Sequence, residues 1–553
     1  MLMTRGDLFR LSGLLLLLAL AGCSGEADSS VEVAASQAPG KPAYGDTYIE
    51  ALPANISGLI PNVLTDGPSF DVAGLIYSGL VKYDKDLNIR AALAESWQYS
   101  PDCLDLTFKL RQNVRWHDNQ PFTAADVVFT YDTMVNPKTP TAYGSDFKAV
   151  ESVRAVDPYT VRVRYKHASA KALQSWSIWM LPKHLLESYA RDGKLREAPQ
   201  NRSNPVGTGP YIFKEWKSGE KVVLAANPDY FEGRPYIARV VYRIIPSSAT
   251  TFLELKAKGV DGARLTAMQF KRQTEYPAFR KAYNKYQYAA NVFVYFGMNL
   301  RDARFADRRV RQAFAHAINK HEIIEGVRLG LAREATGPYK PGTRQYNPNV
   351  HRYPYDLAKA RALLADAGWT EKNADGVLVK NGVPFKFDLL VPQGSDEGRK
   401  VAEIIQASFK DLGVQVELRV IEWATLLKEY IKKRNFEAAM LAWGVTPDPD
   451  QYDIWHSSKQ GPDELNRIGY ANPEADEMLE KGRSTCIEAD RKKYYDRLQE
   501  VLAEDEPIVF LYFRDGLPVV SSRVRGIVPA PIGIDYNFNE WYVPLNLHRY
   551  TSS

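Results

Sequence analysis

The chain has 553 residues, so we expect two or more domains, because a single hydrophobic core rarely grows beyond roughly 250–300 residues. Its composition of 45% hydrophobic and 25% charged residues is that of an ordinary folded protein, and the 12% aromatic content suits either a large core or a surface that stacks on ligands. The net charge of +5 is small and the Lys and Arg residues are scattered, which argues against nucleic acid as a partner.

The first 22 residues have the pattern of a signal peptide. Arg5 and Arg10 precede the apolar run "LSGLLLLLALAG". This run is too short to span a bilayer, which takes about 20 residues, but it suits the hydrophobic region of a signal peptide. It ends in "LAGC", residues 20–23, which resembles the bacterial lipobox and predicts lipidation of Cys23. The alternative is a signal peptide followed by a chance cysteine.

The segment after Cys23 predicts an exported protein on a flexible tether. Residues 23–42 are rich in Ser, Ala and Gly and have little to bury. Ser24 replaces the Asp that retains lipoproteins at the inner membrane. We therefore expect a lipid-anchored protein, at the cell surface or in a Gram-negative periplasm, where Ser24 indicates the outer membrane. Cys103 and Cys486 are distant in sequence, and we expect free thiols.

The two halves of the mature chain differ in their predicted secondary structure. Residues 104–116 and 153–166 are alternating runs separated by turns, which predict an antiparallel sheet. Between them, Thr123 and Asp126 have the spacing of a capping box at the start of a helix. The first half is therefore expected to be mainly antiparallel, with few helices.

The second half alternates between strands and helices. A helix is predicted over 356–369, with Asp356 as its N-cap and Gly368 at its end. Residues 385–391, 395–413 and 414–420 read as strand, helix and strand, which predicts a parallel β-α-β unit. The buried strand predicted over 506–513 has no local partner, so we expect it to return to an earlier domain.

The stretch "AWGVTPDPDQYDIWHSS", residues 442–458, concentrates acidic and aromatic side chains. Such a group could supply catalytic carboxylates, metal ligands or a clamp for a cationic ligand. The acidic residues lack the spacing of a calcium loop, and the chain has no H-E-x-x-H or nucleophile motif. We therefore predict neither a metal site nor a cofactor, and no enzymatic activity.

Four further segments carry a resemblance to a known family. Residues 92–132, 204–216, 307–320 and 355–369 resemble, in the expected order, signatures of the family 5 extracellular solute-binding proteins, the peptide and nickel receptors of ABC importers. The resemblance covers roughly residues 43–545. It implies an α/β, two-lobed periplasmic-binding-protein fold of the type II or cluster C kind, with an extra, mainly antiparallel subdomain.

The resemblance also implies a division of the chain, with a hinge near Ala290 and Pro507. The expected domains are a lobe 1 core from 43–70, 205–290 and 506–553, an extra subdomain of lobe 1 over 71–204, and lobe 2 over 291–505. Ligand would be enclosed between the lobes, and closure would be a population shift driven by contacts made only in the closed state.

In this family the stretch after the Trp lines the cleft, and peptide-binding members commonly place an Asp three residues later, against the ligand's α-amine. Thr446 occupies that position here, so the clamp role is expected to move to Asp448 or Asp450. The structural alternatives are that these Asp residues only cap a turn and that the aromatic residues belong to the core. The resemblance implies the following ligand contacts: Trp443, Thr446, Asp448, Asp450, Tyr452 and Trp455.

Residues 391–398 lack the Arg with which dipeptide-specific members bind the ligand carboxylate. This favours longer peptides held by their backbone. We therefore expect a monomeric, lipid-anchored oligopeptide receptor that delivers ligand to the permease of an ABC importer and its ATPases. Two alternatives stay open: the same fold binding an oligosaccharide, opine or metal chelate, and an exported hydrolase.

Overall fold

A computed structural model describes residues 40–485 and 488–550. The predicted signal peptide over 1–22, Cys23, most of the tether and Cys486 lie outside the described residues. Cys103 is a free, exposed thiol. Within the described ranges, no helix has the length and apolarity needed to cross a membrane.

The elements are numbered in chain order. The strands are β1 Gly45–Leu52, β2 Val81–Tyr83, β3 Ile89–Ala91, β4 Ala94–Tyr99, β5 Asp105–Leu110, β6 Val150–Asp157, β7 Thr160–Tyr165, β8 Tyr211–Lys217, β9 Lys221–Ala226, β10 Ile237–Ile244, β11 Gly262–Arg264, β12 Tyr283–Lys285, β13 Tyr288–Met298, β14 Ala332–Glu334, β15 Glu371–Lys372, β16 Leu378–Lys380, β17 Val383–Pro384, β18 Lys386–Pro392, β19 Gln415–Ile421, β20 Ala438–Gly444, β21 Ile508–Gly516 and β22 Pro518–Ser521. The helices are α1 Gly67–Ile76, α2 Ala124–Val135, α3 Lys183–Arg191, α4 Ser248–Lys256, α5 Pro277–Ala282, α6 Ala303–Ala306, α7 Arg308–Ala317, α8 Lys320–Glu322, α9 Leu357–Asp366, α10 Asp396–Leu412, α11 Trp423–Thr425, α12 Tyr452–Trp455, α13 Pro473–Ser484 and α14 Glu488–Asp505.

The first large sheet has seven strands in the order β12-β22-β11-β1-β10-β9-β8. Strand β1 runs parallel to β10 and β11, so the chain leaves the sheet after β1 and returns to it. The excursion builds a separate antiparallel sheet in the order β4-β5-β7-β6, with α2 against it. This sheet and its own buried core form the extra subdomain that the alternating runs predict.

The second large sheet has six strands in the order β14-β21-β13-β20-β18-β19. Strands β18 and β19 are parallel and α10 connects them, which confirms the predicted β-α-β unit. The apolar face of α10, including Val401, Ile405 and Phe409, is buried in the core of this lobe. The two large sheets and the extra subdomain give the α/β, two-lobed fold that was expected.

The predicted helix caps are present in the structure. The Asp356 side chain accepts a hydrogen bond from the Lys359 N–H at 2.9 Å, and α10 ends at Gly413, whose φ of 87° is left-handed. Thr123 and Asp126 make both hydrogen bonds of a capping box at the start of α2. These local signals are readable in sequence because the cap and its partner lie within one helical turn.

The strand Ile508–Gly516 corrects one predicted assignment. The sequence places 506–553 in lobe 1, but β21 pairs with β13 and β14 of the second sheet. Only with β22, directly after Leu517, does the chain rejoin β11 and β12 of the first sheet. A buried strand can complete either sheet equally well, so its burial does not specify its partner. The other domain limits stay a prediction.

Candidate functional site

Strand β20 carries the sequence into the acidic loop. It lies between β13 and β18, and its residues Ala438–Met440 are buried. Further along, Ala442, Gly444 and Thr446 are exposed. Because alternate residues of a strand point to opposite faces, these three residues present one open face of the second lobe. The Thr446 hydroxyl donates to the backbone oxygen of Asp448 at 3.2 Å, which holds the following turn.

The carboxylate of Asp448 is paired within the chain. It is buried, and Arg491 on α14 donates to its two oxygens at 3.1 and 3.0 Å. Asp448 also accepts from the Asp450 N–H at 2.9 Å. A bidentate arginine–carboxylate pair is among the strongest side-chain contacts, so it fixes this turn against α14.

The carboxylate of Asp450 is also paired within the chain, and its side chain is only 1% exposed. Arg483 on α13 donates to it at 2.6 Å and the Lys171 ammonium lies 3.2 Å away. Burial alone would raise the pKa of Asp450, but the charges of Lys171 and Arg483 outweigh burial and lower the pKa to about 2. Asp450 is therefore ionised and held between two cations.

These contacts join the extra subdomain to the second lobe. Lys171 also pairs with Asp146 at 2.6 Å, and Ser145 donates a hydrogen bond to Asp453 at 2.6 Å. Burial, together with the nearby Asp146 carboxylate, raises the pKa of Asp453 to about 6. The acidic loop is therefore part of an interface between lobes, and we call the set Asp146, Lys171, Asp450 and Arg483 the interlobe ion cluster.

The two predicted aromatic contacts at the end of the loop are buried. The Tyr452 hydroxyl accepts from the Lys148 ammonium of the extra subdomain at 3.0 Å. The Trp455 ring is 1% exposed, and its indole N–H donates to the Gln451 side chain at 2.7 Å. Both rings are thus fixed in place.

A cavity lies beside the loop, between the two lobes. Its empty volume, including the part open to solvent, is about 660 Å³. Most of the wall belongs to the second lobe, whereas Thr65 comes from the first. Its apolar and aromatic wall includes Tyr295, Trp423, Leu427, Leu441, Trp443 and Trp455. A concave, mainly apolar space with a few polar groups is the usual form of a ligand site.

Some of the predicted ligand-contact residues line this cavity, and others do not. Trp443 and Trp455 line it, while the carboxylates of Asp448 and Asp450 are buried against arginines. Whether any of these residues contacts ligand stays a prediction.

Sequence reasoning missed the cations of the acidic loop and one arginine of the cavity. Lys171 lies in the extra subdomain, and Arg483 and Arg491 lie on α13 and α14. Arg467 lines the cavity. No local pattern marks these residues, because ion pairs across a fold join positions far apart in the chain.

The residues described by the structure include no group of three or more His, Cys, Asp or Glu side chains placed to hold a metal ion. The acidic residues of the loop are instead distributed among arginine and lysine partners.

Two lobes joined by neighbouring strands, with an aromatic cavity between them, define a hinged solute-binding protein. The family profile "Bacterial extracellular solute-binding proteins, family 5 Middle" matches residues 88–464. The chain belongs to this family, whose members are solute-binding receptors.

Several relatives resemble the chain over nearly its whole length. The oligopeptide-binding protein AppA of Bacillus subtilis (strain 168) is 32% identical over 536 residues, which cover 95% of this chain and 96% of AppA. Heme-binding protein A of Haemophilus influenzae is 29% identical, covering 94% of this chain and 96% of that protein.

Solved structures show the same fold. The Bacillus subtilis AppA structure in complex with a nonapeptide superposes with a TM-score of 0.86 at 32% identity, covering 91% of this chain and all of AppA (100%). NikZ from Campylobacter jejuni in complex with Ni(L-His) gives a TM-score of 0.81 at 28% identity, covering 90% of this chain and 99% of NikZ. DppA from Helicobacter pylori in complex with the peptide STSA gives 0.81 at 27% identity, covering 91% and 99%.

Proposed function

We propose that this protein is the substrate-binding receptor of an ABC importer and that it captures oligopeptides between its lobes. Ligand contacts made only in the closed state would drive hinge closure, and the closed form would deliver the peptide to the permease and its ATPases. The observation that carries the proposal is the interlobe cavity with its aromatic wall and the open face of β20 beside it.

The open face supports binding through the peptide backbone. Ala442 and Gly444 carry little or no side chain, and open space surrounds Gly444. An extended ligand can therefore approach the main chain closely at this point, while Trp423 and Trp443 provide apolar surface for its side chains. The similarity to AppA, solved with a nonapeptide, and to DppA, solved with a four-residue peptide, supports a peptide ligand.

Among the six predicted contacts, we propose Trp443, Thr446 and Trp455 as residues of the ligand cleft. The position of Trp443 and Trp455 on the cavity wall and the exposure of Thr446 support this assignment. An amine clamp at Asp448 or Asp450, with Tyr452 beside it, stays a prediction. It would require the ligand's ammonium to compete with Arg491 or Arg483 for a buried carboxylate.

We further propose that the protein is exported, lipid-anchored through Cys23 and monomeric, and that it does not act as an enzyme. The sequence motif "LAGC" supports the anchor. Mass spectrometry of the N-terminal peptide from membranes tests it. A diacylglycerol-modified Cys23 is expected, and an unmodified cysteine would contradict it.

Native mass spectrometry of the purified protein tests the function. We expect a ladder of masses that correspond to co-purified peptides, lost after unfolding and refolding. A single bound mass that is not a peptide would overturn the proposal. Incubation with labelled peptides provides the complementary test, since peptide turnover that D448N abolishes would show that the protein is an enzyme.

A further inference from the structure

Arg467 is a buried cation without a counterion. Its residue is 9% exposed, and it lines the interlobe cavity. Among the described residues, its side chain has no hydrogen-bond acceptor and no salt bridge, and its Nε atom is buried without a partner. Burial lowers the pKa of Arg467, but an arginine side chain stays protonated in proteins. Burying a charge in this way is unfavourable unless another group compensates it.

Two further hydrogen-bond donors around the same cavity also lack partners among the described residues. The indole N–H of Trp423 and the hydroxyl of Thr65 are buried without a hydrogen bond. The Tyr295 side chain lies on the same wall, and burial raises the pKa of its hydroxyl, so it stays protonated and can donate. Buried polar groups are almost always hydrogen-bonded in native proteins, so several unsatisfied donors around one cavity indicate a missing acceptor.

Two cations and two acids act on Lys432 beside Arg467. Burial, together with Arg196 and Arg467, lowers the pKa of Lys432 to about 8. Of the acids, Asp463 pairs with Arg196 at 2.7 Å, and Asp66 accepts hydrogen bonds from the Ser57 hydroxyl and the Ser69 N–H. The cavity thus combines an apolar wall with donors and positive charge, an environment that suits an anion with an apolar body.

We propose that Arg467 binds a carboxylate of the ligand in this cavity, with the Trp423 indole, the Thr65 hydroxyl and the Tyr295 hydroxyl as additional donors. The planar guanidinium matches the two oxygens of a carboxylate, which explains why an arginine rather than a lysine stands at the apolar wall. The inference rests on the proposed function and specifies its ligand: a peptide that bears a carboxylate, either its C-terminus or an acidic side chain, next to an apolar group.

The two sources of the carboxylate are distinguished by calorimetric titration with hexa-alanine peptides. One arm compares the free acid with the C-terminal amide. The other places Glu at each position in turn and compares it with Gln. We expect wild-type protein to prefer the carboxylate form about 10- to 100-fold in one of the arms, the range of a charge-assisted hydrogen bond. R467M should lose this preference while binding the neutral forms as wild type does.

R399M is the matched control, because Arg399 is exposed on α10 and pairs with Glu403 at 2.9 Å. R399M should keep the preference for the carboxylate forms. The inference is overturned if R467M retains the preference or if wild type has none.

A second readout separates failure of the inference from failure of the proposed function. If wild-type protein binds none of the hexapeptides, an oligopeptide function is wrong, but the cavity can still be tested with 3-phenylpropionate. This carboxylate should raise the melting temperature of wild type and not of R467M, whereas 3-phenylpropionamide should raise neither. Without ligand, R467M should melt no lower than wild type, because it removes an uncompensated buried charge. A lower melting temperature for R467M, or no response of wild type to the carboxylate, would contradict the inference.

Discussion

The carboxylates of Asp448 and Asp450 each pair with an arginine of the same chain. Through these ion pairs, the acidic loop holds separate elements of the fold together. Asp448 is bound by Arg491 and Asp450 by Arg483 and Lys171. A carboxylate beside aromatic rings suits a cationic ligand and an internal cation equally well. Which of the two cations binds the carboxylate depends on where the fold places residues that are remote in sequence. At Asp450, both cations come from elements remote in sequence.

Asp450→Asn is expected to destabilise the protein strongly. The substitution leaves Lys171 and Arg483 without their shared buried anion, and breaking a buried ion pair from one side costs about 3–5 kcal/mol. Urea unfolding at pH 7 measures the loss. Asp388→Asn is the control, since Asp388 pairs with Arg419 at the surface, where such pairs contribute at most about 1 kcal/mol.

The effect of Asp450→Asn should also depend on pH. The pKa of Asp450 is lowered to about 2, so its ionisation stabilises the fold above the ordinary pKa of 3.8, and this stabilisation is lost as the pH falls from about 4 towards 2. The difference between wild type and variant should therefore shrink over this interval. An unchanged difference at pH 3 would argue against the ion cluster.

Glu506 has the opposite pH dependence. Its residue is 4% exposed, and burial raises its pKa to about 8 although Lys320 and Arg311 oppose the shift. The folded protein keeps a proton that the unfolded chain releases near pH 4.5, so stability falls as the pH rises from about 4.5 to 8. Glu506→Gln, which cannot ionise, should match wild type at pH 4.5 and exceed it at pH 8 in urea unfolding. Equal stability at both values would contradict a buried, protonated Glu506.

The turn before β8 contains Gly207 and Gly209, which pack against the end of α1. A Cβ atom on Gly207 would overlap the Ile76 carbonyl oxygen at the end of α1, and one on Gly209 would lie 2.6 Å from the Leu75 oxygen. The Gly209 N–H donates to the Ile76 oxygen at 2.8 Å. The turn therefore needs glycine for close backbone approach to α1.

Gly207→Ala should lower the free energy of unfolding by about 1–3 kcal/mol or more, because backbone atoms must shift to admit the methyl group. The control is Gly67→Ala at the start of α1, where a Cβ would meet nothing within 4 Å and where the substitution should be neutral or stabilising. Urea unfolding of both variants measures the contrast. If both variants lost the same free energy of unfolding, the backbone near Gly207 would have to move away from α1 without loss of stability.

In the whole molecule, the lobes touch at more than one place. The interlobe ion cluster joins the extra subdomain to the second lobe. In a second contact, the Ala267 N–H donates to the Glu397 side chain at 2.7 Å. Contacts that exist only when the lobes meet favour the closed form, and a ligand adds to them.

Lys171→Met should shift the ligand-free protein towards an open form and weaken peptide binding about tenfold, because part of the binding energy must then close the lobes. Small-angle scattering should give a larger radius of gyration for the free variant and the wild-type value once peptide saturates it. Lys85→Met is the control, since Lys85 is exposed and pairs with its equally exposed neighbour Asp86. An unchanged radius and affinity for Lys171→Met would rule out a role for the cluster in closure.

Much of the fold could be predicted from the sequence, because its signals are local. The capping box at Thr123, the N-cap at Asp356 and the β-α-β unit ending at Ile421 depend on residues within a turn or an adjacent element. In contrast, the neighbour that a strand has in a sheet does not depend on local sequence. The sequence predicts a buried strand over 506–513, yet only the assembled sheets show that β13 and β14 are the neighbours of this strand, β21.

The class of fold and the family follow from the sequence alone, since the hydrophobic period, the helix caps and the motifs are patterns of consecutive residues. The partners of individual charges depend on the assembled fold. The fold pairs Asp448 and Asp450 with arginines and places Arg467 at the wall of the cavity. The physical reason is that the attraction between two charges weakens as their separation grows. Residues that are remote in sequence come close enough to pair only after the lobes have folded.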